Sequence, residues 1–254
     1  MTYTSKKESY VAYGLVTNVG LGDSLMLKIT LENNILTLAL DRASAANALN
    51  VEIYEALHGA FVKASTQDDV KVLVITGEGA RAFCSGADLK EFADANPAVA
   101  AQQRLDMLMR CFLDLIDFPK PVIAAIQAPA VGAGLMLAAL CDEVLMADHT
   151  WVSLPEVKFD MPTPIGATIV AARSSRAICH RLVQLGERLS ATQCVEVGLV
   201  DRSVPLADLA ALCVQRANAL AQIPPFGFGV NKKWMNREVR QQLIAAAEVA
   251  EAAH

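Results

Sequence analysis

The stretch PVIAAIQAPAVGAGLMLAALCD, Pro121 to Asp142, decides how the rest of the chain is read. It opens as an apolar strand, passes through the small-residue turn Val131-Gly132-Ala133-Gly134, and enters an apolar helix beginning near Gly134. Glycine and alanine leave so little bulk at the turn that a ligand could approach the backbone N–H groups closely. The start of the helix adds unpaired N–H groups and the positive end of its dipole, so the turn favours negative charge. An uninterrupted apolar run of this length would suggest a membrane span. Gln127, Pro129 and the Gly132/Gly134 pair break it, and a buried strand, turn and helix is expected instead.

Upstream, the same design recurs. Ala82-Phe83-Cys84 is a short apolar step into Ser85-Gly86-Ala87, followed by Asp88-Leu89-Lys90 and a helix-like stretch. If the fold brings the two turns together, one N–H from each can grip a single oxygen, which is an oxyanion hole built from backbone. Taken alone, each turn would equally be an ordinary glycine turn packing a helix on a strand.

Around these turns, Leu25 to Leu31 alternates, Asn33-Asn34 marks a turn and Ile35 to Leu40 follows, which is a hairpin signal. Asp41 to Asn50 reads as a loop. Val51 to Ser65 sets Ile53, Leu57, Ala60, Phe61 and Ala64 at helical spacing, and Val70 to Thr76 reads as a buried strand. Val99 to Phe118 is an amphipathic helix stopped by Pro119, and Glu143 to Ala147 a further strand. Helices are expected over 180–197 and 206–222, and an alanine-rich one from Val230 to Ala253, after the interruption at Pro224-Pro225. Strands alternating with helices imply an α/β core with crossover connections. Residues 1–24 show no sustained period and read as an N-terminal arm.

Composition narrows the partners. The chain has 254 residues and a formal charge of -5 with scattered Lys and Arg, which gives no footprint for nucleic acid. Six cysteines in apolar contexts, with no C-x-x-C pair, read as buried thiols in a reducing compartment, and no secretory signal follows Lys6-Lys7. A cytoplasmic protein without membrane or nucleic-acid partners is expected. No metal-ligand spacing appears among His, Cys, Asp and Glu. Ser85 and Cys84 invite a nucleophile reading, but no His stands in a motif that would pair with either.

FCSGADLKEF and AAIQAPAVGAGLMLAALCD, with SLPEVKFDMPTPIGAT and LGERLSATQCVEVGLVD, resemble the enoyl-CoA hydratase/isomerase (crotonase) superfamily over about Leu25 to Asn236. The resemblance implies a spiral core of repeated strand-strand-helix units over residues 25–195 and a C-terminal helical trimerisation region over 196–254. It further implies a homotrimer or dimer of trimers, an acyl-CoA thioester as substrate, and no cofactor beyond the coenzyme A of that substrate. Mapped by motif, the oxyanion N–H groups belong to Ala87 and Ala133, the latter replacing the family's usual middle glycine. Ser85, Gly86, Asp88, Lys90, Gly132, Gly134, Met136 and Lys233 are placed around the substrate, with Lys90 and the Lys232-Lys233 pair as candidates for the CoA moiety.

A hydratase of this family uses two glutamates. The second matches Glu156 in Leu154-Pro155-Glu156, whereas the first maps onto Met136. One carboxylate resembles the Δ3,Δ2-enoyl-CoA isomerase branch, in which a single base moves a proton from C2 to C4. Asp160 stands where the family more often has glycine; it reads either as a turn former or as a second acid, which leaves decarboxylase or lyase chemistry open. A hydratase, a decarboxylase and a non-catalytic acyl-CoA-binding scaffold are the competing readings, since fold alone does not certify activity.

Overall fold

The computed structural model describes residues 26–91 and 96–252. The N-terminal arm therefore lies outside the described residues. The hairpin forms as expected: β1 (Leu27–Glu32) and β2 (Ile35–Leu40) pair antiparallel from Leu27↔Leu40 to Glu32↔Ile35. Asn33 and Asn34 both take positive φ, 51° and 65°, which is the backbone a two-residue hairpin turn needs.

From β2 onward the sheet is parallel. It runs β1-β2-β3 (Val72–Gly77)-β4 (Val122–Ile126)-β6 (Glu143–Ala147)-β9 (Arg202–Val204). Its central strands β3, β4 and β6 are nearly continuous apolar runs because both faces are covered. One face carries α1 (Val51–Thr66), whose Ile53, Leu57, Ala60, Phe61 and Ala64 are all buried, and α2 (Pro97–Asp117) beyond it. On the other, Val72, Val74, Ile123, Ala125, Leu145 and Ala147 meet Leu209, Cys213 and Ala217 of α7 (Leu206–Leu220).

A second, three-stranded sheet consists of β5 (Ala130–Val131), β7 (Trp151–Ser153) and β8 (Arg188–Ser190). The opening stretch is thus not one strand and a helix. It gives β4 to the large sheet, β5 to the small one, and then α3 (Ala133–Ala139). This strand-strand-helix unit is the repeat of the spiral core expected from sequence.

Two expectations need correction. Residues 180–197 are not one helix: α5 (Arg176–Cys179) passes into a wide π turn over His180–Gln184, then β8, then α6 (Ala191–Glu196). Gly186 (φ 55°) ends the first piece, and a Ser190/Gln193 capping box starts the last. The sheet also extends past residue 195, because β9 pairs with β6. The alanine-rich C-terminal helix α8 (Pro225–Ala252) packs against α2 and α4 (Pro164–Arg173). Among the described residues no helix is long and apolar enough to cross a membrane.

Candidate active site

The two small-residue turns lie side by side. Cys84 and Ala130 form a parallel bridge, and Val131 N–H donates to Cys84 O at 2.9 Å, so the residues that follow each bridge leave the small sheet together. A Cβ on Gly86 would stand 3.2 Å from Val131 O and 3.5 Å from Ala133 N. A Cβ on Gly134 would stand 2.5 Å from Cys84 O. Glycine at 134 is the condition for this close approach; glycine at 86 is further required by its φ of 99°.

The first turn is braced by the loop that sequence reading leaves without a role. Ser85 N–H donates to Ala46 O at 3.1 Å, Leu49 N–H to Gly86 O at 2.8 Å, and Asp88 N–H to Leu49 O at 2.9 Å. Asn47, fully buried, holds that loop to the end of β3 through Glu78 O and Ala82 O. Because Leu49 bonds to the residues on either side of Ala87, the N–H of Ala87 points away from it. At the second turn Gly132 N–H is taken by Ser153 O, and Ala133 is the first residue of α3, where an N–H has no partner within the helix. Neither Ala87 N–H nor Ala133 N–H has an acceptor among the described residues.

Glu156 opens a short 3-10 turn (Glu156–Phe159) that Lys158 fastens in place, its Nζ donating to Gly186 O at 2.6 Å. The Glu156 carboxylate lies over the second turn: Oε1 is 2.8 Å from where a Cβ on Gly132 would be. Oε2 is buried without a hydrogen-bond partner. Burial pushes the carboxyl pKa above its ordinary range, opposed only by its own backbone N–H. A buried acceptor with no donor stabilises neither fold nor charge, and its place in a cleft makes Glu156 the candidate for proton transfer.

One cleft joins these parts. It is lined by Ser85, Gly86, Ala87, Gly132, Ala133, Met136 and Glu156, all expected from sequence. Four other expected residues are elsewhere. Asp88 turns to Arg42, whose Nη1 donates to its carboxylate at 2.6 Å; burial opposes ionisation there, but this hydrogen bond lowers the pKa overall. Lys90 and Lys233 are exposed outside the cleft wall, and Gly134 packs behind it on Cys84. Lys232 is buried, donating to Asp142 at 2.6 Å and to Lys120 O at 3.2 Å, and so anchors α8. Asp160 takes a left-handed φ of 56° to close the Glu156 turn and does not line the cleft, which is the turn-former reading. Cys84 is buried, and burial pushes its thiol up to about 12, which disfavours the thiolate that a nucleophile would need.

Sequence reading misses three parts of the wall. Ala101, Arg104, Leu105 and Leu108 come from one face of α2, Phe159 and Met161 to Ile165 from the loop into α4, and Ala250 from α8. The helical spacing of the first group was visible, but nothing local says which face meets a ligand. Among the described residues no cluster of His, Cys, Asp and Glu could hold a metal ion. The arrangement can therefore offer two fixed donors to a carbonyl oxygen and one basic carboxylate to a neighbouring carbon.

Two sheets wound through strand-strand-helix units, with paired glycine turns opening on one cleft that holds a single carboxylate, define a crotonase-type α/β enzyme. The sequence model of the enoyl-CoA hydratase/isomerase family matches residues 30–254, and the chain belongs to that family. It is similar to the 2,3-dehydroadipyl-CoA hydratase of Escherichia coli (strain K12), 32% identical over 225 residues and 87% of each chain. It also resembles human enoyl-CoA delta isomerase 2, 30% identical over 86% of this chain and 56% of that one. A crystal structure of an enoyl-CoA hydratase/isomerase from Xanthobacter autotrophicus Py2 superposes with a TM-score of 0.83 at 27% identity, over 89% of this chain and 86% of that one.

Proposed function

We propose that this enzyme shifts a double bond in an acyl-CoA, converting a 3-enoyl thioester into the 2-enoyl isomer with Glu156 as the only base. The observation that carries the reading is that Glu156 is the sole acid lining the cleft among the described residues; Met136, which also lines it, stands where the family resemblance puts a hydratase's other glutamate. Thioester oxygen sits between Ala87 N–H and Ala133 N–H. The Glu156 carboxylate takes a proton from C2, the electron pair delocalises into the dienolate, and charge collects on that oxygen. The carboxylic acid then returns the proton to C4, and the double bond lies between C2 and C3. No water or resident cofactor enters. Each backbone donor contributes about 2.7–4 kcal/mol to such a transition state, because it is already oriented.

Burial of Glu156 serves both half-steps: a carboxyl whose pKa is raised is a stronger base toward C2 and keeps its proton long enough to deliver it to C4. Lys90 and Lys233, both exposed, are proposed to meet the phosphates of coenzyme A outside the cleft. Assembly as a homotrimer or dimer of trimers is proposed on the stripe that α8 leaves exposed, where Phe226 is 84%, Trp234 65% and Met235 75% accessible. A reducing, cytoplasmic setting fits six free cysteines.

The test is to supply a 3-enoyl-CoA and a 2-enoyl-CoA separately and follow each by absorbance. Conversion of the first without hydration of the second is expected. Hydration of the 2-enoyl-CoA at a comparable rate would replace this reading by a hydratase, loss of carbon dioxide from a carboxylated acyl-CoA by a decarboxylase, and binding without turnover by a scaffold.

A further inference from the structure

The short turn that carries Glu156 has little of its own to hold it. It is a single 3-10 turn, Glu156–Phe159, in which no residue is buried, so no packed core fixes its place. Its backbone bonds close it on itself: Lys158 N–H donates to Pro155 O at 2.9 Å, Asp160 N–H to Val157 O at 3.3 Å and Met161 N–H to Glu156 O at 3.1 Å. These bonds set the shape of the turn and not its position. Position matters for a base, since a displacement of about 1 Å can cost about 10²-fold in rate.

One bond reaches from the turn to a separate element. Among the described residues, the bond from Lys158 Nζ to Gly186 O, at 2.6 Å, is the only hydrogen bond that ties residues 156–159 to another element. Gly186 is a fixed point. Leu185 N–H donates to His180 O at 3.3 Å and Glu187 N–H to Arg181 O at 3.1 Å, so the carbonyl between them is held by the π turn, whose Leu182 and Val183 are buried in the core. The lysine stem lies along the glycine: a Cβ on Gly186 would stand 2.8 Å from Lys158 Cε, 3.3 Å from Cδ and 3.4 Å from Cγ. Any side chain at 186 would push the stem aside. Holding a lysine in one conformation costs rotamer entropy, and a surface lysine ordinarily keeps that freedom.

We infer that the Lys158–Gly186 latch holds Glu156 over the Gly132 turn, which makes Lys158 a positioning residue for proton transfer. The inference rests on Glu156 as the base but not on which acyl-CoA reaction it serves. Neither Lys158 nor Gly186 is among the residues lining the cleft, so the latch acts through the turn and not on a ligand. The connection runs from the buried Leu182 and Val183 to Gly186 O, across to Lys158, and back along the turn to the carboxylate whose Oε1 lies 2.8 Å from the Cβ position of Gly132. Loosening the turn lets water reach Glu156, and the pKa that burial raises then falls.

Variants that open the latch from either side test it. Lys158→Met keeps the stem and removes the donor; Gly186→Ala keeps the lysine and puts a methyl where its stem lies. For both, for the double variant and for Glu156→Gln, kcat, KM and the pH dependence of kcat are measured on whichever of a 3-enoyl-CoA and a 2-enoyl-CoA the wild-type enzyme turns over. Thermal melts set a temperature at which each is folded. Each single variant is expected to lower kcat by about 10- to 100-fold with KM little changed. The acidic limb of the kcat profile is expected to move to lower pH, because Glu156 is the only carboxyl lining the cleft among the described residues. The double variant is expected to lose no more than the more damaged single variant, as two cuts in one connection do. Lys158→Arg, which keeps a donor, is expected to recover part of the kcat lost in Lys158→Met. The inference is overturned if folded Lys158→Met keeps the wild-type kcat and limb, if only its KM changes, or if the two single losses add. Undiminished turnover by Glu156→Gln, or a wild-type enzyme that turns over neither thioester, refutes the base and this inference with it, whereas an inactive Glu156→Gln beside an unaltered Lys158→Met refutes only the latch.

Discussion

Glu156→Gln should make the enzyme inactive and more stable at once, and the two effects have one cause. The substitution keeps the shape and removes the charge. In the folded protein the carboxylate has Oε2 buried without a donor, and burial raises its pKa. A carboxyl whose folded pKa exceeds its unfolded value contributes stability that is present below the unfolded pKa and lost as pH rises through the folded one. Above that window the ionised group is a net cost. Keeping the charged, unpaired carboxylate out of water costs about 1–3 kcal/mol more than the neutral amide, and the lower end applies because the residue is only partly buried. About 1 kcal/mol corresponds to roughly 2–4 °C in Tm for a chain of this size. Calorimetric melts at equal protein concentration should show the Gln variant melting higher at neutral pH, with the difference vanishing on acidification into the ordinary carboxylate range. Isomerase turnover should fall by about 10²- to 10⁴-fold, the usual worth of a positioned proton carrier. A variant that melts lower at neutral pH, a difference independent of pH, or an undiminished rate would each refute the reasoning.

Three further perturbations test the surroundings of that group. Gly132→Ala puts a methyl 2.8 Å from Glu156 Oε1 at a φ of 55° and ψ of -129°, so it should cost about 1–3 kcal/mol of stability and about 10²-fold in kcat by displacing the base; normal kcat in the variant would show that Oε1 is not held against this turn during turnover. Asp88→Asn weakens the 2.6 Å pair with Arg42 that steadies the Ala87 turn, and kcat should drop more than KM rises, by about fivefold, since the brace acts on the donor and not on the ligand; a change in KM alone would instead make Asp88 a substrate contact. Lys232→Met leaves Asp142 without its cation in a pair whose lysine side chain is 4% exposed, so chemical denaturation should register a loss of about 3 kcal/mol with ligand affinity little altered, and a selective loss of acyl-CoA binding would restore a coenzyme A role for Lys232.

The sequence is legible where a function is local. Each glycine turn is set by a few consecutive residues entering and leaving it, so Ser85-Gly86-Ala87 and Gly132-Ala133-Gly134 announce themselves, as does Glu156 beside Pro155. The hairpin, α1, β3 and β6 follow from periodicity in the same way. What stays hidden depends on chain segments far apart. The two- and three-residue strands β5, β7 and β8 are too short to show alternation, and only their pairing makes them strands. Asp88 carries the same motif position whether it faces ligand or Arg42, and 46 residues separate the partners. Arg104 on an amphipathic helix looks like any solvated charge until the helix is seen to wall the cleft. The break within 180–197 is different: Gly186 and the Ser190-Ala191-Thr192-Gln193 capping signal are legible in the sequence, but Leu182, Val183 and Leu185 stand within and just after the π turn at a spacing that also reads as one continuous helix.

Met136 shows how a missing acid shapes the rest of the site. Its side chain is 4% exposed and runs from α3 toward α4, where its Cε would lie 2.8 Å from a Cβ on Gly166, with Leu154 Cδ1 3.3 Å from the same point. Glycine at 166 therefore makes room for the thioether, and methionine fills that space with a flexible apolar chain. A carboxylate in the same place would meet glycine and leucine, and Glu156 would have to share the cleft with a like charge, which raises the pKa of one of the two. The apolar neighbourhood of Met136 and the raised pKa of Glu156 thus belong to one design. On the proposed reading, keeping the second position apolar leaves Glu156 as the single carboxyl for proton transfer, with its pKa raised by burial. On the isomerase reading proposed above, the carboxyl returns its proton to a different carbon of the ligand.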